Sequence, residues 1–224
     1  MWHNTVSVAA LRGATPWKVD RFRAGFEQVI ASADTVSIGE IVTAREETAD
    51  PTAEPSADLP YVGLDGVAPD TGELLQLRSA RDQAIKSRSR VFRQGDVIYG
   101  RLRAYLNKVA YIEPELELGL CSGEFYVLTP KVGKVEGRYL QWLLSSDDMV
   151  QYVTLRLAGA THPRLSLADL FAYRVTLPTL GIQAKAVEVI ERARLRRQEI
   201  LSELQTLRGT TAAAVNIVTT EVEI

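Results

Sequence analysis

Residues 95–112 read GDVIYGRLRAYLNKVAYI, and the fold turns on how this stretch is read. Asp96 to Tyr99 and Val109 to Ile112 are rich in β-branched and aromatic residues, the composition of short strands. Gly100 breaks the first run. The result is a hairpin whose tip carries Arg101, Arg103, Tyr105, Asn107 and Lys108. Three long cations, one ring and one amide suit phosphate oxygens and base edges. The same residues would also make an ordinary solvated tip, so the rest of the chain has to decide between the two.

Downstream, GEFYVLTP supplies a third strand that stops at Pro130, with Glu124 and Tyr126 alternating against Phe125 and Val127. Val135 to Leu157 shows helical spacing in two pieces, Tyr139, Leu140, Leu143 and Leu144, then Met149, Val150 and Val153. Ser145-Ser146 lies between them as an N-cap. AGATHPRLS (158–166) is a glycine-containing loop with His162 and Arg164; Ser166 with Asp169 starts another helical turn, and Tyr173 to Leu177 is strand-like. Upstream, Thr15-Pro16 opens a helix with Val19, Phe22, Phe26, Val29 and Ile30 on one face. Val36, Ile38, Ile41 and Val42 predict a strand broken at Gly39, followed by a mobile acidic loop over TAREETADPTAEPSADLP. Tyr61 to Asp65 resumes as strand, and the chain turns at Asp70-Thr71-Gly72. RSARDQAIKSRSRVFRQ reads either as a short helix or as an irregular surface crossing.

From Ile182 to Leu207 there is neither Pro nor Gly, and Ile182, Ala186, Val189, Ala193, Ile200, Leu204 and Leu207 recur in steps of three and four, interrupted by Arg196 and Arg197. This is a long helix of about 38 Å with a narrow apolar seam that wants a partner helix. The alternative is a helix lying along its own domain. TTAAAVNIVTTEVEI, after it, is β-prone and carries no assignment. The expected organisation is a globular domain over 1–180, a dimerisation or spacer helix over 181–208 and a tail over 209–224. The fold class is α+β: a small, mostly antiparallel sheet with flanking helices, then a long C-terminal coiled-coil helix.

The totals narrow the chemistry. The chain has 224 residues, 46% of them hydrophobic, enough for one sizeable core. Cys121 is the single cysteine, which excludes an internal disulfide or a cysteine zinc cluster, fits a reducing cytoplasm and reads as a small buried side chain. No apolar run spans a bilayer, so neither export nor membrane insertion is expected. The formal net charge is −2, yet the charges are segregated. Glu40 to Glu73 holds nine acids against Arg45 alone, whereas Arg78 to Lys108 holds nine cations against Asp82 and Asp96. Arginine outnumbers lysine twenty to six, which favours forked contacts over point charges.

The usual catalytic constellations are missing. No two glycines are separated by one residue, so the G-x-G turn of dinucleotide or S-adenosylmethionine sites is absent, as is the G-x-x-x-x-G-K phosphate loop. No NPPY-like tetrapeptide occurs, and no lysine follows an acid by two positions. With His3 and His162 as the only histidines, a histidine metal site is disfavoured, and the carboxylate pairs Glu46-Glu47 and Asp147-Asp148 read as a solvated loop and a helix start. The expectation is a binding protein with no catalytic residue, no metal and no cofactor.

GDVIYGRLRAYLNKVAYI, then CSGEFYVLTP, GRYLQWLLSS, AGATHPRLSLADL and RVTLPTLGIQ leading into a long helix, together resemble the specificity subunit of type I restriction-modification systems. YVGLDGVAPDTGELL and VSIGEIVTARE resemble the early part of its target recognition domain, and the likeness covers most of residues 59–208. The order and spacing of the motifs carry it, not any one motif. The junction departs from the family pattern: Leu177-Pro178-Thr179-Leu180 stands where Pro-Pro-Leu is usual, and Ile182-Gln183 where Glu-Gln is usual. Full-length members carry two recognition domains and two helical regions, and this chain has room for one of each. It is expected either to pair with a second copy or to be a truncated product.

The resemblance implies a cytoplasmic protein that reads double-stranded DNA and docks methyltransferase (M) and restriction (R) subunits. Arg88, Arg90, Arg93, Arg101, Arg103 and Lys108 are the candidates for phosphate or guanine, Gln94 and Asn107 for adenine, Tyr105 for a further contact on the hairpin tip, and His162 with Arg164 for a second contact loop. Ile182, Ala186, Val189, Ala193, Ile200, Leu204 and Leu207 would join two copies on a bipartite palindrome. Two alternatives stay open: a freestanding dimeric DNA-binding regulator, and a protein-interaction scaffold.

Overall fold

The computed structural model describes residues 35–75, 77–157 and 161–222; the helix expected over 15–30 and Ala158-Gly159-Ala160 of the glycine loop lie outside them. By compactness the chain divides into one unit over Met1–Leu180 and another over Gly181–Ile224. The first opens with β1 (Thr35–Ser37), α1 (Ile38–Ile41), β2 (Val42–Arg45), β3 (Thr48–Ala49), β4 (Pro60–Val62) and β5 (Arg78–Ser79). It continues with β6 (Ser89–Arg93), β7 (Val97–Gly100), β8 (Val109–Tyr111), β9 (Leu118–Cys121) and β10 (Phe125–Pro130). It closes with α2 (Gly137–Leu144), α3 (Asp147–Leu157), α4 (Leu167–Ala172) and β11 (Arg174–Thr176), and α5 (Leu180–Val222) follows.

The hairpin of the opening stretch is β7 and β8, paired antiparallel from Val97 opposite Tyr111 to Tyr99 opposite Val109. Beyond it β10 pairs with β7, Phe125 opposite Gly100, and with β2, Val127 opposite Arg45, giving the order β2-β10-β7-β8. A second sheet runs β3-β6-β9-β4-β5, antiparallel except between β4 and β9, and β1 pairs with β11 apart from both. Val62, Phe92, Ile98, Ala110, Cys121, Phe125 and Val127, from strands of both larger sheets, share one core. Hence β7 reads apolar throughout rather than alternating: all four of its residues are buried. Gly119 is required here, because a Cβ would lie 2.3 Å from the Phe92 ring. Gly72 is equally fixed, at φ +66°, with the Val109 carbonyl oxygen 2.0 Å from where a Cβ would stand.

Several elements differ from the sequence reading. Residues 36–42 are not one strand broken at Gly39; Ser37 and Glu40 form a capping box that starts the single turn α1 between β1 and β2. The expected acidic loop contains β3 and a 3₁₀ turn at Ser56–Asp58. The basic crossing is neither helix nor irregular at its end, since Ser89–Arg93 forms β6 with Val91 and Phe92 buried. Helix α5 runs to Val222 through the β-prone segment, so it has 43 residues and spans about 64 Å. Once a helix exists, each added residue gains a hydrogen bond, and the propensity cost of Thr and Val is only a few tenths of a kcal/mol, about 0.5.

Candidate nucleic-acid interface

Hairpin tip 101–108 is built as a rigid shelf. Arg103 and Asn107 both take left-handed backbone conformations, φ 49° and 51°, and bracket a 3₁₀ turn at Ala104–Leu106. A left-handed arginine is disfavoured, so the surroundings must hold it. They do: the Arg103 amide donates to the Pro163 carbonyl at 2.8 Å, the Leu165 amide to Arg101 at 2.9 Å, and the Asp70 amide to Asn107 at 3.0 Å. The turn also packs on α3. These bonds set the tip beside residues 161–165, with Leu102 bridged to Arg164. Two loops that lie about sixty positions apart in sequence thus form one surface.

On that surface the side chains divide by what they already hold. Tyr126 of β10 is buried, its hydroxyl donating to the Leu165 carbonyl at 2.9 Å. Two guanidinium groups approach its ring, Arg101 at 5.2 Å and Arg90 of β6 at 6.0 Å from the centroid. Neither guanidinium donates a hydrogen bond among the described residues, and the Nε of each is buried without an acceptor. Two like charges on one ring with no acceptor form a site suited to an anion. Arg103 and Tyr105 are exposed on the same tip, His162 is exposed on the neighbouring loop, and Gln94 is exposed at the turn before β7.

Other candidates are already engaged. Asn107, expected to reach adenine, is buried, its amide donating to Asp70 Oδ1 at 3.0 Å and to the Ser145 carbonyl at 2.9 Å, so the structure places it in the scaffold of the tip. Lys108, expected to reach phosphate, turns inward and donates to the Leu64 carbonyl at 2.5 Å. Arg93 forks onto Glu47 at 2.9 Å, and Arg88 donates to the Thr48 hydroxyl at 2.7 Å. Arg164 forks onto Glu124 with contacts of 2.7 to 3.0 Å, which holds the Glu124 carboxyl below its usual range, with Arg101 adding to the effect.

The segregated charge seen in the sequence is therefore partly cancelled by folding. Arg45 from the acidic segment reaches Asp96 of the basic one at 2.9 Å, Asp96 also accepts from the Thr129 hydroxyl, and Arg81 pairs with Glu54 and Asp58. Among the cations of the basic segment that hold no carboxylate, Arg90 and Arg101 meet at the Tyr126 ring and Arg103 lies exposed on the same shelf. Tyr126 and Glu124, which organise that cluster, were visible in the sequence only as alternating residues of a strand. Cys121 is buried with its thiol pushed up by desolvation, which makes it an inert core side chain. Among the described residues no group of three His, Cys, Asp or Glu is placed to hold a metal, and no helix is long and apolar enough to cross a membrane.

Compared with known proteins, this arrangement has clear counterparts among solved structures. A chain from work on complex assembly and conformational transition of the type I R-M system shares 29% identity at a TM-score of 0.61, over 73% of this chain and 43% of that one. The HsdS subunit from Thermoanaerobacter tengcongensis shares 27% identity at a TM-score of 0.61, over 74% of this chain and 43% of that one. No protein-family model and no curated protein matches the chain. Small sheets, flanking helices, the cationic hairpin shelf and a long terminal helix define the class as a target recognition domain with its helical extension. In fold and in sequence the chain is thus similar to specificity subunits of type I restriction-modification systems. It spans less than half the length of those solved chains, 43% of each.

Proposed function

We propose that this chain is a DNA-recognition subunit of a type I-like restriction-modification complex, reading one half-site of double-stranded DNA and supplying no catalytic residue of its own. The observation that carries it is the Arg90, Tyr126 and Arg101 cluster on the shelf, where two guanidinium groups stand without an acceptor in a domain of this fold. Arg103 and Tyr105 extend the same surface, the first as a phosphate or guanine ligand and the second as a ring for packing on sugar or base. His162 lies on the loop bonded to the shelf, whereas Gln94 stands at the far end of β7 and Arg88 beside Thr48, both outside this cluster.

In this reading the apolar seam of α5 joins two copies, so that two recognition domains meet a bipartite palindrome and the helices serve as spacer and docking surface for M subunits, with the R subunit joining through the assembled complex. Support for the seam is that Ile182, Val189, Ile200, Leu204 and Leu207 are each at least 41% exposed, a row no globular surface leaves uncovered without reason. The test is co-expression with a methyltransferase subunit followed by sequencing of the methylation pattern. A split palindrome is expected. An asymmetric site would refute pairing of two identical copies, and methylation without any sequence preference would refute the recognition role.

A further inference from the structure

Arg164 and Glu124 face the same surface as the arginine cluster but differ from it in electrical character. Arg164 presents its Nε and Nη2 to the carboxylate in three contacts, Nε to Oε1 at 3.0 Å, Nε to Oε2 at 2.9 Å and Nη2 to Oε1 at 2.7 Å. The pair is therefore locally neutral. Neutralising phosphates by counterion release requires net positive charge, and a phosphate at Arg164 would also meet the Glu124 carboxylate. Phosphate anchoring is thus the wrong role for this arginine.

What the fork leaves open is its end edge. Nη1 has no partner among the described residues, and Nη2 keeps one hydrogen beyond the one given to Glu124, so two parallel donors remain on a side chain that is 46% exposed. Two parallel donors match the O6 and N7 acceptors of guanine in the major groove; the same edge could fork onto a phosphate, but the Glu124 carboxylate on the other edge repels that anion and not a neutral base. Both ends of the pair are fixed by backbone. The Glu124 carbonyl accepts from Arg101 at 2.8 Å and its amide donates to the Ser122 hydroxyl at 3.2 Å, while Arg164 lies between the Pro163 and Leu165 bonds to the shelf. An arginine so held loses little rotamer freedom on binding, and that saving goes into orientation rather than bulk affinity.

The geometry points to Arg164 as a guanine-reading, specificity-determining residue of the recognition domain, with Glu124 as the positioning residue that aims its free edge. This rests on the recognition role above and assigns one base within it. Arg90, Arg101 and Arg103 supply charge, and the Arg164 and Glu124 pair supplies direction.

Selection from a duplex pool with randomised positions, using the full chain, tests this with E124Q and R164K alongside. E124Q keeps the shape and removes the charge; R164K keeps the charge and removes the fork. The wild type is expected to select a half-site containing a guanine whose preference falls about tenfold or more in R164K and about fivefold in E124Q, at that one position. E124Q is also expected to bind unselected duplex more tightly with a steeper salt dependence, because it releases one cation. If both variants select the wild-type site unchanged, the pair is only a bridge between loops. If both lose preference at every position together with thermal stability, the pair holds the fold and the assignment is overturned. A wild type that selects no sequence removes the recognition role itself, a result distinct from the other two.

Discussion

Asn107 donates its side-chain amide to Asp70 across 3.0 Å, and so locks the end of the hairpin tip to a turn 37 residues upstream. The same amide reaches the Ser145 carbonyl, so one short side chain ties three segments. Asn107→Ala removes both bonds and leaves a Cβ residue at φ 51°, where asparagine is tolerated better than alanine. A loss of about 1–3 kcal/mol in urea unfolding is expected. Asn107→Gly relieves the backbone but not the amide and should fall between the two. DNA binding should weaken uniformly across sequences; a change of base preference would return Asn107 to the reading surface.

Arg101 and Arg90 give the opposite pattern. Neither holds the fold through a hydrogen bond, so Arg101→Ala and Arg90→Ala should leave thermal unfolding nearly unchanged while costing about 1–3 kcal/mol in duplex binding. Removing one phosphate ligand should also flatten the plot of log affinity against log salt by about 0.9. Tyr126→Phe keeps the ring under both cations and loses only the bond to Leu165, so it should cost stability of about 1 kcal/mol and little affinity. Affinity unchanged by both arginine substitutions would remove the cluster from the interface.

What could be read from the sequence was whatever is settled locally. β7, β8, β10 and the helices around Leu140 and Val153 announce themselves through composition, spacing and caps that lie within a few residues of one another. Ser37 and Glu40 carried a capping-box signal as well, but the apolar run through Ile38 and Ile41 concealed it. β6 could not be read, because Arg90 and Arg93 flank its two buried residues, and its pairing to β9 is set by a core assembled from distant strands. The division of the arginines was equally hidden. Arg93 is paired by a glutamate 46 residues away and Arg164 by one 40 residues away, and no local pattern marks which cations such partners will claim.

Glu124 also predicts a pH dependence. Its hydrogen bonds from Arg164 depress the folded-state pKa below the ordinary value of 4.5, so the folded state favours the ionised form. The sign follows: the stabilisation is fully present above about pH 4.5 and is lost as pH falls through the lowered folded value. Urea midpoints of wild type and Glu124→Gln should differ most near neutral pH and converge progressively as pH falls below the ordinary carboxyl value of 4.5. A gap that does not narrow as pH falls below 4.5 would mean that the carboxylate charge contributes nothing to the pair.

The seam of α5 yields the last prediction. Ile200 and Leu204 are 41% and 46% exposed, one turn apart on a helix whose surface elsewhere carries the Arg194–Glu191 and Arg196–Glu199 pairs. Leucine and lysine have nearly equal helix propensity and isoleucine is slightly worse, so Ile200→Lys with Leu204→Lys should leave helical circular dichroism intact. If two copies bury both side chains against each other, the double substitution removes four apolar groups of about 1.5 kcal/mol or more each. That is about 6 kcal/mol, a factor of more than about 10⁴ in Kd. Sedimentation of the variant should show a monomer at concentrations where the wild type is a dimer, and methylation should shift away from a split palindrome because two recognition domains are no longer presented together. A dimer that survives both lysines would place the contact on another surface, and the seam would then be free to receive the helices of an M subunit instead.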